Sequence, residues 1–164
     1  MQGMTKRERQ VTDPGQIRHI LDAGKVLYLG MADENMPYVV PMTYGYCMQE
    51  GRLTLYMHSA VRGKKLDILR RNPNVFFTLD CDRVPFAHEL PCQYGLSYSS
   101  IMGCGKAVIV EDVEEKKKAM SVLMKTQTEK DFVFADRLVS MVAVIRIDVE
   151  EYTAKHRPVP ENLR

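Results

Sequence analysis

Residues 53–67 read Leu53-Thr-Leu-Tyr-Met-His-Ser-Ala-Val-Arg-Gly-Lys-Lys-Leu-Asp67. The first half is a short apolar run with β-forming residues and predicts a strand. A loop follows, holding Ser59, Arg62 and Gly63, and a helix begins at once with Lys64 and Lys65. Strand, basic loop and helix N-terminus together form an arrangement that holds a phosphate. The first N–H groups of a helix have no internal partner, the helix dipole is positive there, and cationic side chains add charge-assisted hydrogen bonds. Gly63 lets the backbone approach closely. In a helix starting near Gly63, Lys64 and Lys65 point about 100° apart. One of them therefore faces solvent. Lys65 is the preferred phosphate contact and Arg62 the next.

Upstream, Asp13 caps a first helix, with Pro14 at its first position and Gln16 where a capping box needs it. Ile17, Ile20 and Leu21 form its apolar face, and Gly24 marks its stop. Residues 26–32 and 37–46 read as strands around an Asp33-Glu34-Asn35 turn. Pro41 makes the second an edge, a bulge or a deliberately broken ladder. Gln49-Glu50-Gly51 turns into the quoted strand, which completes an antiparallel meander.

Downstream, Asn72-Pro73 ends the helix and residues 75–79 form a strand. Residues 82–98 lack a period and read as a long loop. Residues 99–110 form a strand in which Gly103 and Gly105 signal a bulge or a close approach. Asp112 and Glu115 open a further helix as a capping box, and residues 129–138 suggest another helical piece. Apolar residues alternate from Met141 to Val149 in a last strand. The reading is one domain over residues 1–164, with an N-terminal arm at 1–12 and a loose tail at 153–164. It is mainly β, an antiparallel barrel of about six strands with flanking helices. Strands and helices do not alternate as a doubly wound parallel sheet requires.

Composition narrows the function. The chain has 164 residues, 45% hydrophobic and 27% charged, with a net charge of +2. That balance gives no footprint for nucleic acid, and the Lys116-Lys117-Lys118 run beside Glu114 and Glu115 reads as a solvated helix face. No apolar run approaches the roughly 18 residues of a membrane span, and the polar N-terminus is no secretory signal. Four cysteines form no CxxC pair or metal spacing, so the expectation is reduced thiols in the cytoplasm and no metal, with Cys92 and Cys104 as buried structural thiols in preference to thiols near a site. Eleven methionines and no tryptophan suit an ordinary core of irregular gaps, in preference to a core or interface beside a flat ligand. Tyr44, Tyr46, Tyr94 and Tyr98 read as core aromatics in preference to groups that stack on a flat ligand, and His19, His88 and His156 as helix, loop and tail residues without a role.

Four pieces in order carry a resemblance: Pro37-Tyr-Val-Val-Pro41, the segment from His58 to Asp67, Asn72-Pro-Asn-Val-Phe76, and Tyr98 to Lys106. Together they resemble the pyridoxamine 5′-phosphate oxidase-like split-barrel flavoproteins, and within them the 5-nitroimidazole-resistance branch. The resemblance implies a six-stranded split barrel that binds FMN and forms a homodimer with cofactor sites at its interface. The strand over Val39, Val40, Pro41, Met42 and Thr43 would lie along the flavin ring. Met57, His58, Ser59, Arg62, Gly63, Lys64 and Lys65 would line the cofactor and take its phosphate. Ser99 and Ser100 would reach the cofactor of the second subunit. His58 is the candidate catalytic residue. It contacts flavin or substrate, ligates haem iron as in related haem-binding split barrels, or simply hydrogen-bonds at a strand end. The pyridoxal phosphate residues of the oxidase proper are not found. The implied activity is reduction of small electrophiles such as nitroaromatics, with NADH or NADPH as donor. The alternative is a flavin or haem carrier or sensor.

Overall fold

The computed structural model describes residues 5–161; the first four residues of the predicted arm and the last three of the predicted tail lie outside it. After a 3₁₀ turn at Arg7–Arg9, the elements are β1 (Gln10–Val11), α1 (Pro14–Ala23), β2 (Val26–Asp33), β3 (Met36–Gln49) and β4 (Arg52–Ser59). They continue with α2 (Lys64–Arg71), β5 (Asn74–Phe86), β6 (Gly95–Val110), α3 (Val113–Thr128), α4 (Asp136–Val139) and β7 (Ala143–Arg157). The strand order is β1-β7-β4-β3-β2-β5-β6, and β6 also pairs with β7. Six strands thus close an antiparallel barrel, as expected, and two-residue β1 adds a seventh along β7.

The local signals explain most elements. Asp13 accepts from the Gln16 N–H at 2.8 Å and Asp112 from the Glu115 N–H at 2.8 Å, so both helices start on their predicted caps. The Glu115 carboxylate turns away to Arg146 of β7, which leaves the second capping box half made. Glu50 and Gly51 both have positive φ, the geometry a tight hairpin between β3 and β4 requires. Gly24 ends α1 without left-handed geometry; it is small because a Cβ there would meet Leu79 at 2.6 Å.

Three expectations are corrected. The predicted loop at 82–98 is mostly hairpin: β5 runs to Phe86 and β6 starts at Gly95. A bulge between Cys81 and Val84 hides the period by shifting the register there. Of the predicted helical piece at 129–138, only Asp136–Val139 is helical. The tail from 153 is not loose up to Arg157, because β7 continues and pairs with β6 as far as Tyr98↔Arg157. Its alternation is broken by a bulge opposite Cys104 and Gly105, where Glu150 is the unpaired extra residue. Before it the odd residues Ala143, Ile145 and Ile147 face inward; after it Ala154 does, with Tyr152 half-buried beside the core. A strict period-2 reading loses the strand at that change of phase. Gly103 and Gly105 serve the same junction, since a Cβ on either would strike the carbonyl of Glu151 or Asp148.

The barrel interior holds Leu27, Leu29, Tyr44, Leu55, Met57, Phe77, Leu79, Ile101, Ile145 and Ile147, with Ile20 and Leu21 of α1 and Leu66 and Leu69 of α2 packed on it. A second cluster outside the barrel joins Tyr56, Val110 and Val144 to Ala119 and Met120 of α3 and Val139 of α4. The Tyr44 hydroxyl donates to the Leu21 carbonyl at 2.6 Å, and burial pushes its pKa well up. Tyr94 and Cys92, expected inside, are exposed, and Cys104 is half-buried, all on or beside the β5–β6 hairpin. His156 lies in β7 rather than in a tail.

Helix α3 rests on β3 at Gly45, where an added Cβ would overlap the backbone of Val122 and Leu123. Gly45→Ala should therefore lower stability by about 1–3 kcal/mol through overpacking. Urea unfolding checks this, and an unchanged midpoint would mean that α3 does not sit on β3.

Candidate functional site

Strand β3 changes partner. Residues 36–43 pair with β2, and residues 44–49 pair with β4. Over residues 36–43, the side of β3 that would face β4 has no strand. Which backbone groups point there follows from the helix on the other side. The Tyr46 N–H donates to Thr126 Oγ1, and the Tyr44 carbonyl accepts from Gln127 Nε2 at 2.7 Å. Even-numbered residues of β3 therefore point their peptide groups away from β4, and odd-numbered ones toward it. Pro37 and Pro41 are both odd, so the two N–H groups that proline lacks fall on the open edge and cost no ladder bond. Pro41 marks the edge that the sequence allowed. The peptide groups of Val39 and the carbonyl of Pro41 remain on it.

Side chains divide the predicted ring strand into two faces. Val40 and Met42 point into the barrel, Met42 buried. Val39, Pro41 and Thr43 are exposed on the outer face. In β4 the same alternation sends Met57 into the core at 1% exposure and His58 to the outer face, opposite Val144. Met57 is thus a core side chain, contrary to its placement among cofactor-lining residues. His58 lies just past the last β3 pair, Tyr44↔Met57, and so level with Thr43, while the pairing with β7 runs on to Ser59. Its Nδ1 is buried and has no hydrogen-bond partner among the described residues, which distinguishes it from a histidine that simply satisfies a strand end.

The basic loop leaves β4 beside this open edge. Ser59 Oγ donates to the Ala60 carbonyl at 2.9 Å. Gly63 has φ 143, which disfavours any side chain there, and the space around it is open. The N–H groups of Leu66 and Asp67 donate to the Gly63 carbonyl at 3.0 and 3.3 Å. Those of Gly63, Lys64 and Lys65 come earlier and have no helical acceptor.

The cations are divided. Lys64 reaches Asp33 at 3.1 Å and lies over the Tyr38 ring, 5.1 Å from its centroid. Arg71 reaches the other Asp33 oxygen at 2.6 Å, so α2 is pinned to the end of β2 at both its ends. Lys65 is half-buried and its Nζ rests 3.3 Å from Met42 Sδ, a weak acceptor. Arg62 is exposed, with no carboxylate partner among the described residues. Lys65 and Arg62 thus hold unspent charge beside β3, whereas Lys64 is neutralised. The loop sequence carried no sign of Asp33 or Tyr38, because both come from the β2–β3 hairpin.

Ser99 and Ser100 are not brought to this site within one chain. They pair with His156 and Lys155, whereas Ser59 pairs with Ala143 at the other end of β7. Thirteen strand residues at about 3.3 Å each separate the two ends. The two serines also face opposite ways: Ser99 Oγ meets His156 Nδ1 at 3.0 Å, and Ser100 lies on the outer face with Met102. Among the described residues, no helix is long and apolar enough to cross a membrane.

The family model described as pyridoxamine 5′-phosphate oxidase matches residues 13–156. Among solved structures, one from Bacteroides thetaiotaomicron, provisionally described as a 5-nitroimidazole antibiotic resistance protein, superposes with a TM-score of 0.75. It is 33% identical over 90% of this chain and 86% of its own. An FAD-binding protein from Mesorhizobium loti gives a TM-score of 0.62 at 25% identity, over 89% of this chain and 96% of that one. The flavocytochrome Anf3 from Azotobacter vinelandii gives 0.75 at 19% identity, over 96% and 73%, a likeness of fold alone. No curated protein sequence matches.

The Asp33 carboxyl is held below its ordinary 3.8, chiefly by the hydrogen bond from Lys64, against partial desolvation and with help from Arg71. A depressed folded-state pKa contributes stability that is present above the ordinary carboxylate range and lost as pH falls through the depressed value. Asp33→Asn should therefore be less stable than the parent at neutral pH, and the difference should vanish in acid. Unfolding curves across that range check it; a pH-independent difference would mean that the pairs contribute nothing.

Proposed function

Because the chain belongs to the pyridoxamine 5′-phosphate oxidase family, we propose that it binds a flavin, specifically FMN, and reduces small electrophiles such as nitroaromatics at the expense of NADH or NADPH. The observation that carries this reading is the pairing of an open strand edge with a loop of unspent positive charge. Gly63, the free N–H groups of Lys64 and Lys65, and the side chains of Lys65, Arg62 and Ser59 would hold the phosphate. Peptide groups of Val39 and the carbonyl of Pro41 would meet the polar edge of the ring. The unpartnered Nδ1 of His58 fits a group that arrives with its own donor or acceptor. Bound flavin supplies the redox chemistry, transfer of electrons from nicotinamide to electrophile. The chain positions it and excludes water on the barrel side with Met42 and Met57.

The same reading gives a homodimer. Across the outer face, Val39, Tyr28, Phe76 and Met102 from four strands are 59%, 41%, 43% and 43% exposed. Register aligns Pro41 with Tyr28, Thr78 and Met102, and Val39 with Gly30, Phe76 and Cys104. Such a contiguous apolar strip on a barrel wall is a surface for a second copy. Pairing through it would carry Ser100, on that same face, toward the other copy's ring edge. Four free cysteines support a reducing, cytoplasmic setting.

A second reading, a haem or flavin carrier, rests on the same buried His58 nitrogen and is separated by colour. The purified protein should show flavin bands, which NADH or NADPH bleaches under anaerobic conditions. A Soret band that moves in His58→Ala would favour haem, and flavin that neither donor bleaches would favour the carrier. Lys65→Ala should weaken FMN by roughly ten- to a hundredfold, the loss of one charge-assisted hydrogen bond. Riboflavin, without the phosphate, should hardly change, and equal losses would mean that the loop is misassigned. Phe76→Glu should give a monomer in sedimentation together with weaker FMN binding; an intact dimer would move the interface elsewhere.

A further inference from the structure

At the end of the barrel away from the basic loop, two donors converge on one carboxylate oxygen. His19 Nε2 lies 3.0 Å from Asp82 Oδ2, and Cys81 Sγ lies 3.4 Å from the same atom. All three ligand atoms fall within 4.8 Å of one another. Neighbours in a strand normally point to opposite faces. Cys81 and Asp82 converge because the β5 bulge begins directly after Cys81, which still pairs with Ser99, and Asp82 takes φ 54, outside strand geometry. A non-glycine residue held at positive φ marks a place where the surrounding structure fixes an unusual side-chain direction. His19 comes from α1, 63 residues before Asp82, and its ring is brought over the bulge by the packing of Ile17 and Ile20 on the core.

The cluster borders a cavity of about 230 Å³ lined by Val11, Gln16, His19, Asp82, Ser99 and His156. His156 is held there by the 3.0 Å contact of its Nδ1 with Ser99 Oγ. One thiol, one imidazole and one carboxylate are a donor set suited to zinc-class divalent ions. With bonds of about 2.0–2.3 Å, a tetrahedral ion separates its ligand atoms by roughly 3.3–3.6 Å. The separations to Asp82 Oδ2 come near that range: 3.4 Å from Cys81 Sγ lies inside it, and 3.0 Å from His19 Nε2 lies just below it. Two of the three ligands, His19 and Asp82, line the cavity, with Cys81 buried behind them, so a fourth coordination position is left open toward it, as in sites that bind water or a small ligand.

We propose that His19 Nε2, Cys81 Sγ and Asp82 Oδ2 form a three-ligand site for a zinc-class divalent cation, open at its fourth position toward the cavity that His156 lines. The cation replaces the thiol proton, which leaves to solvent, and takes the lone pair of His19 Nε2, whose ring proton then resides on Nδ1. No electron transfer is involved. The site is independent of the flavin reading: it uses none of the residues assigned to the cofactor.

The test is titration of the purified, thiol-reduced protein with Co²⁺, followed as difference spectra against the metal-free sample, so that flavin absorption cancels. The expected result is a thiolate-to-cobalt charge-transfer band that saturates at one ion per chain and is bleached by Zn²⁺. Cys81→Ser should abolish the band, and His19→Ala and Asp82→Asn should each weaken binding at least about tenfold. Cys92→Ser, at an exposed thiol elsewhere, should leave it unchanged. Absence of the band in folded protein, its survival in Cys81→Ser, or its loss in Cys92→Ser would overturn the proposal. If Cys81→Ser does not fold, the two variants at exposed ligands decide: unchanged cobalt affinity in both overturns it equally.

Discussion

The partner change of β3 between Thr43 and Tyr44 is the constraint on which the rest depends. Above it, β3 is an inner strand held between β4 and the polar side chains of α3. Below it, the strand has a neighbour on one side only, and its odd-numbered peptide groups meet no ladder. A barrel normally removes such edges. Here one is kept open and two prolines make it a poor template for another strand, since Pro37 and Pro41 offer carbonyls without N–H groups. The opening also makes room for the loop after Ser59 and for α2, whose Leu66 and Leu69 fill the barrel end. The cleft and the cap are therefore two results of one departure from regular pairing.

Charge at that cleft is apportioned by Asp33. Three cations lie within four residues, at Arg62, Lys64 and Lys65, and left alone they would repel one another at the start of a helix whose dipole is already positive. Asp33 removes Lys64 from the set and ties Arg71 down at the other end of α2. The remaining two cations keep their charge with only a thioether or solvent for company. A weak partner is a useful one at a binding site, because an arriving anion does not have to displace a carboxylate to reach the ammonium.

Much of this was legible in the sequence, and the parts that were not share a cause. The caps at Asp13 and Asp112, the hairpin turns, the strand from Leu53 and the basic loop are local signals and lie where the residues predict. Pro41 was readable as an edge, though not which edge. The end of β7, the β5–β6 hairpin and the clustering of Cys81 with Asp82 were hidden behind bulges, each of which resets a period-2 pattern. Asp33, Tyr38 and the orphaned His58 nitrogen were invisible for another reason: each depends on what a distant strand brings alongside. Met57 shows the converse, a residue adjacent to chemistry in sequence and turned from it by simple alternation.

Strand β7 carries a consequence for how the molecule forms. It pairs with β1, β4 and β6, and so with segments from both ends of the chain order. Until it emerges from the ribosome, β4 lacks its second neighbour, β6 lacks its closing partner, and β1 has nothing to dock on. The nascent chain must therefore hold an incomplete, curved sheet with two raw margins while α3 and α4 are made. Long-range closure of this kind is slow relative to hairpin formation and exposes sticky edges in the interval. The hairpins β2–β3 and β5–β6 can assemble as they are translated; the barrel as a vessel exists only after its final stave.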